Sequence, residues 1–342
     1  MKVKVDGEEK EVKTVWFEQP DVVMIDQPKL PFEFALKRFS NYKATADAIT
    51  TMVVRGAPAI GATAGYATAQ AVLQGEDMQT AADYIKKARP TAIDLAHGVD
   101  RILNVLGDDA EANKKIAVEE AEKLAQEYIE KCSKIGDNGN ELIKDGDKIL
   151  THCNAGWLAC VEWGTATAPI YKAKRAGKTV FVWVDETRPR CQGARLTAWE
   201  MAQEGVEHAV IADNSAGYYM KKGEVNLCIT GADRVARNGD TANKIGTYEK
   251  AVVAKANNIP FYIAIPANTY DFDCENGDAI PIEERDEGEV THMWGEGGKI
   301  RIANPNSKAR NPAFDVTPAE YITGYITEKG VLKAEELSQL TQ

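Results

Sequence analysis

Lys148-Ile149-Leu150-Thr151-His152-Cys153-Asn154-Ala155-Gly156 is the stretch whose reading decides the fold. Its first half reads as a buried strand and its second half as a small-residue loop leaving the strand's end. Val225-Asn226-Leu227-Cys228-Ile229-Thr230 running into Gly231-Ala232-Asp233-Arg234 has the same grammar. Apolar strands that end in polar loops fit an open parallel sheet, which binds ligands outside the carboxyl ends of its strands. A thiol and a carboxylate then face one crevice from different strands. Such a pair can move protons on a small molecule, which points to an enzyme.

Outward from this pair the pattern repeats. Strands are expected at 148–152, 179–185, 208–212, 225–230 and 260–265. Helices are expected between them at 165–175, 194–204, 217–221 and 241–257. Alternation of this kind is the mark of a doubly wound α/β domain. Toward the amino terminus it stops at Gly136-Asp137-Asn138-Gly139, where the helical pattern breaks, so a boundary is set at 136–147. The expected domains are 1–140 and 141–342.

The first domain reads as mainly helical, with helices at 44–54, 57–73, 77–87, 90–106 and 110–135. Pro58 suits a first helical turn. Ala117, Ala121, Leu124 and Tyr128 make an apolar stripe whose plain reading is core packing. Ahead of the helices, Val3 and Val5 precede Asp6-Gly7, and Val12, Val15 and Phe17 follow it, as in a short hairpin.

With 44% hydrophobic and 27% charged residues, the 342-residue chain can bury a large core. Its net charge of -11 removes the basic face that a phosphate backbone requires, so no nucleic-acid partner is expected. Small anionic substrates need only a few local Arg or Lys. The six cysteines include no Cys-x-x-Cys pair and no His at zinc-ligand spacing, so neither a metal nor a disulfide framework is expected. Cys228, inside a strand, reads as core. Met1-Lys2-Val3-Lys4-Val5 is not a signal peptide, and no apolar run reaches the ~18 residues of a membrane span. A soluble cytoplasmic chain is expected.

Each candidate residue has a plain reading beside the chemical one. Cys153 is either an activated thiol at a strand end or one more small core residue. Asp233 is either a catalytic carboxylate or a helix cap. After it, Arg237-Asn238-Gly239-Asp240-Thr241-Ala242-Asn243-Lys244 is read as opening a helix at about Thr241, which makes Asn243 and Lys244 a phosphate clamp. Asp185-Glu186-Thr187-Arg188-Pro189 and Gln192-Gly193-Ala194-Arg195 bring charged and amide groups to the same edge. Glu186 and Arg188 either pair with each other or touch ligand. Arg55-Gly56-Ala57-Pro58 and Arg89-Pro90-Thr91-Ala92 each place an Arg before a helix start, a weak anion signal alone. His97, His208 and His292 have no matching partners. Asn304-Pro305 and Asn311-Pro312-Ala313-Phe314-Asp315 read as turns.

Taken together, Arg55–Gly61, Arg89–Ala92, Thr151–Gly156, Glu186–Pro189, Gln192–Trp199, Gly231–Tyr248 and Asn311–Pro318 resemble one family, in one order across nearly the whole chain. That is the 5-methylthioribose-1-phosphate isomerase family, in a superfamily shared with regulatory subunits of the exchange factor for translation initiation factor two. The resemblance implies a Rossmann-like doubly wound C-terminal domain and a smaller mainly helical N-terminal domain carrying the hairpin. It implies Cys153 and Asp233 as the catalytic pair. Arg55, Gly56, Ala57, Arg89, Gln192, Asn243 and Lys244 would bind the sugar phosphate. A homodimer, no cofactor and a place in methionine salvage are implied as well.

The implied reaction turns an aldose 1-phosphate into a 1-phosphoketose. Asp233, enclosed in an apolar crevice, would protonate the ring oxygen. Cys153 would then carry a proton from C2 to C1 through an enediol, or the pair would serve a direct hydride shift. An acid and a base acting together predict a bell-shaped pH–rate profile. Two further substrates stay open, 5-deoxyribose 1-phosphate and ribose 1,5-bisphosphate, although no extra cationic cluster for a second phosphate is seen. A non-catalytic regulatory subunit is the reading from another class.

Overall fold

The computed structural model describes residues 1–5, 7–90 and 92–341. Asp6 of the expected hairpin turn and Thr91 of the Arg89–Ala92 junction lie outside them. The chain divides into two compact units. One is Met1–Ser133 with Gly156–Gly164, and the other is Lys134–Ala155 with the chain from Thr165 onward.

In the first unit, β1 (Lys2–Val5) and β2 (Glu8–Glu11) pair antiparallel as the expected hairpin. An unexpected antiparallel sheet follows, made of β3 (Val15–Glu18), β4 (Asp21–Ile25) and β5 (Leu36–Phe39). These strands are too short for an alternation signal to stand out. The unit also holds α1 (Tyr42–Thr50), α2 (Ala57–Gln74), α3 (Met78–Lys87), α4 (Ile93–Leu103) and the greater part of α5 (Ala110–Asn140), whose residues from Lys134 onward belong to the second unit. Asn41 and Asp77 cap α1 and α3, accepting the N–H groups of Ala44 and Thr80 at 2.9 Å each.

Helix α2 is almost wholly enclosed, because Ala and Gly let neighbours approach on every side. A Cβ on Gly98 of α4 would collide with the Gly61 carbonyl, and it would lie 3.2 Å from the Gly65 amide. Gly61 in turn faces the Asp94 carbonyl. The contacts advance in step along both helices, so α2 and α4 run parallel with their N-termini at the same end.

Helix α5 corrects the sequence reading at one place: it continues through Gly136-Asp137-Asn138-Gly139 rather than breaking there. The two glycines are contact surfaces. Gly136 lies against Ala168 and Lys172, and Gly139 against Pro169, all of α6 (Ala168–Arg175). Close packing offsets the low helix propensity of glycine.

The second unit carries β6 (Lys148–Thr151), β7 (Phe181–Asp185), α7 (Ala198–Gln203), β8 (Glu207–Ile211), α8 (Ala216–Lys221) and β9 (Leu227–Thr230). A short π-helical turn, Gly193–Thr197, leads into α7. There follow β10 (Arg234–Ala236), β11 (Thr241–Lys244), α9 (Thr247–Ala256), β12 (Phe261–Ala264), β13 (Tyr270–Asp271) and α10 (Gly288–Thr291). The chain ends in β14 (His292–Gly295), β15 (Gly298–Arg301), β16 (Phe314–Thr317), β17 (Gly324–Thr327) and β18 (Gly330–Leu332).

The main sheet has seven strands in the order β18-β17-β12-β9-β6-β7-β8, parallel except for β18. From β6 the chain winds outward through β7 and β8, then returns and winds the other way through β9 and β12. The order therefore reverses between β6 and β9, and that reversal is where such sheets form a ligand crevice. Leu150, Cys228, Phe261, Ile263 and Tyr325 pack in one core across the sheet, with Cys228 fully buried as read from the sequence. A second sheet, β13-β10-β11-β16, replaces the first residues of the helix expected at 241–257. No helix among the described residues is long and apolar enough to cross a membrane.

Candidate active site

Cys153 follows β6 and Asp233 follows β9, the two strands at the reversal. Their loops touch. A Cβ on Gly231 would lie 2.6 Å from the Ala155 Cβ, so only glycine allows this approach. Cys153 is half-buried with φ +67°, in the left-handed region. Non-glycine residues hold that conformation at a cost of roughly 1–3 kcal/mol, so the surroundings must impose it.

They do so with threonine hydroxyls. The Cys153 N–H donates to Thr187 Oγ1 at 2.8 Å, and that hydroxyl donates to the Asp185 carbonyl at 3.0 Å. Thr197 Oγ1 donates to the Cys153 carbonyl at 2.7 Å. The next residue, Asn154, donates from Nδ2 to Glu200 Oε1 at 2.8 Å, and Tyr171 donates to Glu200 Oε2 at 2.7 Å. Burial first, and the Glu200 carboxylate beside it, push the Tyr171 hydroxyl well above its ordinary pKa. Thr187 itself has φ +63°. Both oxygens of Asp213 secure this turn, accepting the N–H groups of Thr187 and Arg188 at 2.7 Å each.

Beneath the loop lies a buried ionic cluster. His152 Nε2 donates to the Ile245 carbonyl at 2.8 Å, since a carbonyl can only accept. Its Nδ1 sits 3.0 Å from Asp185 Oδ2, and one proton occupies that contact. Lys250 Nζ is 3.7 Å from the same carboxylate, and both side chains are almost wholly buried. Burial holds the Asp185 carboxyl above its ordinary value, against the lowering effect of His152 and Lys250. His152, Asp185 and Asp213 bring ligand-type atoms within 4.8 Å of one another. The set fits a metal poorly: the imidazole nitrogens and the Asp213 oxygens are engaged, and Lys250 already supplies the positive charge.

Asp233 departs from its expected setting. It is exposed, and its carboxylate makes no hydrogen bond or ion pair among the described residues, so the second unit does not enclose it in an apolar crevice. Its N–H donates to the Ala242 carbonyl at 2.9 Å, which fixes the loop onto β11.

Asn243 and Lys244 are also corrected. They lie on β11, between β10 and β16, and not at a helix N-terminus. Helix α9 starts later, at Thr247, after Gly246 with φ +99°. The long polar run carries no apolar alternation, and β11 is held as a strand by pairing with β10 on one side and the sequence-remote β16 on the other. Both side chains are buried. Asn243 Nδ2 donates to Thr247 Oγ1 at 2.9 Å. Lys244 Nζ donates to the Ala313 carbonyl at 2.6 Å and lies 4.3 Å from the centre of the Phe314 ring. The segment 311–315, read as turns, thus contains the start of strand β16.

Gln192 is buried beside the π-helical turn, and its Oε1 has no partner among the described residues. Glu186 and Arg188 do not pair. Arg188 instead donates to the carbonyls of Val290 at 2.7 Å and Pro189 at 2.6 Å. Arg190 pairs with Glu289 at 2.8 Å, and Asn311 Nδ2 reaches Glu289 at 3.0 Å. In the first unit, Arg55, Gly56 and Ala57 lead into α2, and Arg89 precedes α4. The parallel packing of these helices puts both arginines at the same end. Gly56 has φ +95°, and a Cβ there would collide with Ala159, so the tight entry requires glycine.

The sequence reading quoted Thr187 and Thr197 only within longer stretches, and it missed Glu200, Asp213 and Lys250. It quoted His152 only as a polar neighbour. Nothing local marks them, because each acts through a partner at least 20 residues away.

Comparison with known proteins adds a family. Residues 53–334 match the model of the Initiation factor 2 subunit family. The methylthioribose-1-phosphate isomerase of Geobacter metallireducens is 45% identical over 341 residues, covering 96% of this chain and 97% of that one. The structure of 5-methylthioribose 1-phosphate isomerase from Pyrococcus horikoshii OT3 superposes with TM-score 0.89 at 40% identity, covering 97% of this chain and 96% of that chain. A structure from A. fulgidus titled translation initiation factor eIF-2B, subunit delta, gives TM-score 0.85 at 41% identity, covering 95% and 97%.

Proposed function

This chain belongs to the Initiation factor 2 subunit family, and we propose that it converts 5-methylthioribose 1-phosphate to 5-methylthioribulose 1-phosphate. It is an enzyme, an aldose–ketose isomerase. The observation that carries the residue assignment is the contact between the Cys153 and Asp233 loops at the sheet reversal, where Gly231 meets Ala155.

The phosphate on the anomeric oxygen keeps the furanose from opening to a free aldehyde. In our reading Asp233 gives a proton to the ring oxygen as the C1–O bond to the ring breaks. The Cys153 thiolate then takes the proton from C2, leaving an enediol phosphate. That proton returns at C1, and the C2 hydroxyl proton passes back to Asp233, which restores both groups and yields the 1-phosphoketose. A C2-to-C1 hydride shift with the same two residues handling hydroxyl protons is the rival route. Solvent deuterium at C1 supports the enediol, and its absence supports the shift.

We assign Gln192, Asn243 and Lys244 to substrate binding on the second unit. Gln192 Oε1, buried without a partner, is an acceptor awaiting a sugar hydroxyl. Arg55, Gly56, Ala57 and Arg89 are assigned to phosphate on the first unit, where helix N-termini and guanidinium groups both favour an anion. We assign the active protein as a homodimer in the cytoplasm, with no cofactor.

The test is turnover of 5-methylthioribose 1-phosphate beside 5-deoxyribose 1-phosphate, with Cys153→Ser and Asp233→Asn. Product from wild type and none from either variant supports the assignment, and the rate ratio names the preferred 5-substituent. An inactive wild type would move ribose 1,5-bisphosphate and a regulatory role forward.

A further inference from the structure

We infer that His152 is a positioning residue that holds the thiol loop and the Ile245–Gly246 turn after β11 in one register. This rests on the isomerase reading for its kinetic consequence but not for its geometry. The ring lies immediately before Cys153 and is only 1% exposed. Through Nε2 it holds the carbonyl of Ile245, the residue directly after Asn243-Lys244. Gly246, the next residue, packs on the ring: a Cβ there would lie 3.1 Å from both Cε1 and Nε2. Through Nδ1 it is anchored to Asp185 at 3.0 Å, and Asp185 is in turn flanked by Lys250 at 3.7 Å.

The Asp185 backbone belongs to the same arrangement, because its carbonyl accepts the Thr187 hydroxyl that holds the Cys153 N–H. One imidazole thus braces the ends of β6 and β7 and the exit of β11 against each other. Asp315 fixes the turn from its far side, accepting the N–H of Gly246 at 2.6 Å and of Tyr248 at 3.1 Å. A ring that only filled space would need neither partner. A ring that sets register needs the Ile245 contact above all.

Two polar replacements separate the contacts. His152→Gln puts an amide nitrogen near the place of Nε2 and keeps the bond to Ile245. His152→Asn puts one near the place of Nδ1 and keeps only the Asp185 side. The readouts are kcat and KM for 5-methylthioribose 1-phosphate, together with the rate at which iodoacetamide alkylates Cys153. The other five cysteines are buried, so alkylation checked against Cys153→Ser reports this thiol. We expect His152→Asn to raise KM, to lower kcat on the order of tenfold and to change the alkylation rate, while His152→Gln stays close to wild type. The inference is overturned if the folded Asn variant keeps wild-type kinetics and alkylation, or if the two variants behave alike. Should wild type fail to turn over the substrate, the functional reading falls, and alkylation alone still decides the role of His152.

Discussion

Thr187 and Cys153 share a hydrogen bond of 2.8 Å and the same uncommon backbone, with φ of +63° and +67°. Asp213 secures the Thr187 turn and Thr197 the Cys153 carbonyl, and this bond ties the two positive-φ residues together. Thr187→Val keeps the shape and removes the acceptor, leaving the Cys153 N–H unpaired at a cost of about 1–3 kcal/mol. We expect kcat to fall by roughly tenfold or more with little change in KM, since a small misplacement of a reacting group is enough. Thr187→Ser should restore most of the rate. Steady-state kinetics of the pair checks this, and a fully active Val variant would show that the bond does not aim the thiol.

Asp185 should shape the response of stability to pH. Burial raises its folded pKa above the ordinary 3.8, so the folded state binds its proton more tightly than the unfolded chain does. That contribution is complete at acid pH and is lost as pH rises through the folded value. Denaturant titrations of wild type and Asp185→Asn from acid to neutral pH should show wild type losing stability relative to the variant on the way up. A difference that grows in favour of wild type would mean that His152 and Lys250 outweigh burial.

Gly231→Ala tests whether the loops carrying Cys153 and Asp233 need their close approach. The new Cβ would start 2.6 Å from the Ala155 Cβ, and one loop must move. Overpacking of this kind costs about 1–3 kcal/mol. We expect activity to fall further than stability, measured by kcat/KM beside thermal unfolding, because the displaced segment carries Cys153.

Lys244→Met removes a buried ammonium while keeping most of the side chain's bulk. With Lys244 in its proposed substrate-binding role, loss of a charge-assisted bond to the substrate, worth about 1.5–3 kcal/mol, should raise KM by roughly 10- to 100-fold. Inhibition by inorganic phosphate should weaken alongside it. If KM stays put, Lys244 serves only the Ala313 carbonyl and the Phe314 ring.

These residues differ in how far the sequence alone revealed them. The strand-end positions of Cys153 and Asp233 were legible because their signal is local: an apolar run, then small polar residues, twice over. Expected and observed strands agree to within a few residues for the same reason. Thr241–Lys244 was misread because its strand is held on one side by Arg234 and Val235 of β10 and on the other by Asp315 and Val316 of the sequence-remote β16. Gly136 and Gly139 looked like a helix end, since propensity carries no knowledge of Pro169 and Ala168 pressing against them. His152 stood out only as a polar neighbour of Cys153, because its meaning lies in Asp185 and Ile245.

The short return of the chain between Gly156 and Gly164 also constrains how the molecule can be made. Thr14 donates to the Trp157 carbonyl at 2.6 Å and Gln27 to the Leu158 carbonyl at 2.7 Å, while the Thr14 N–H reaches the Val161 carbonyl at 3.0 Å. Until residue 161 has left the ribosome, these inward-facing groups have no acceptors, and each unmet one weakens the early intermediate. Vectorial synthesis therefore cannot finish the amino-terminal unit before the first strand of the main sheet is already outside. A fragment ending near residue 140, expressed alone, should be prone to aggregation, and the nascent chain should gain protease resistance only after this insert emerges.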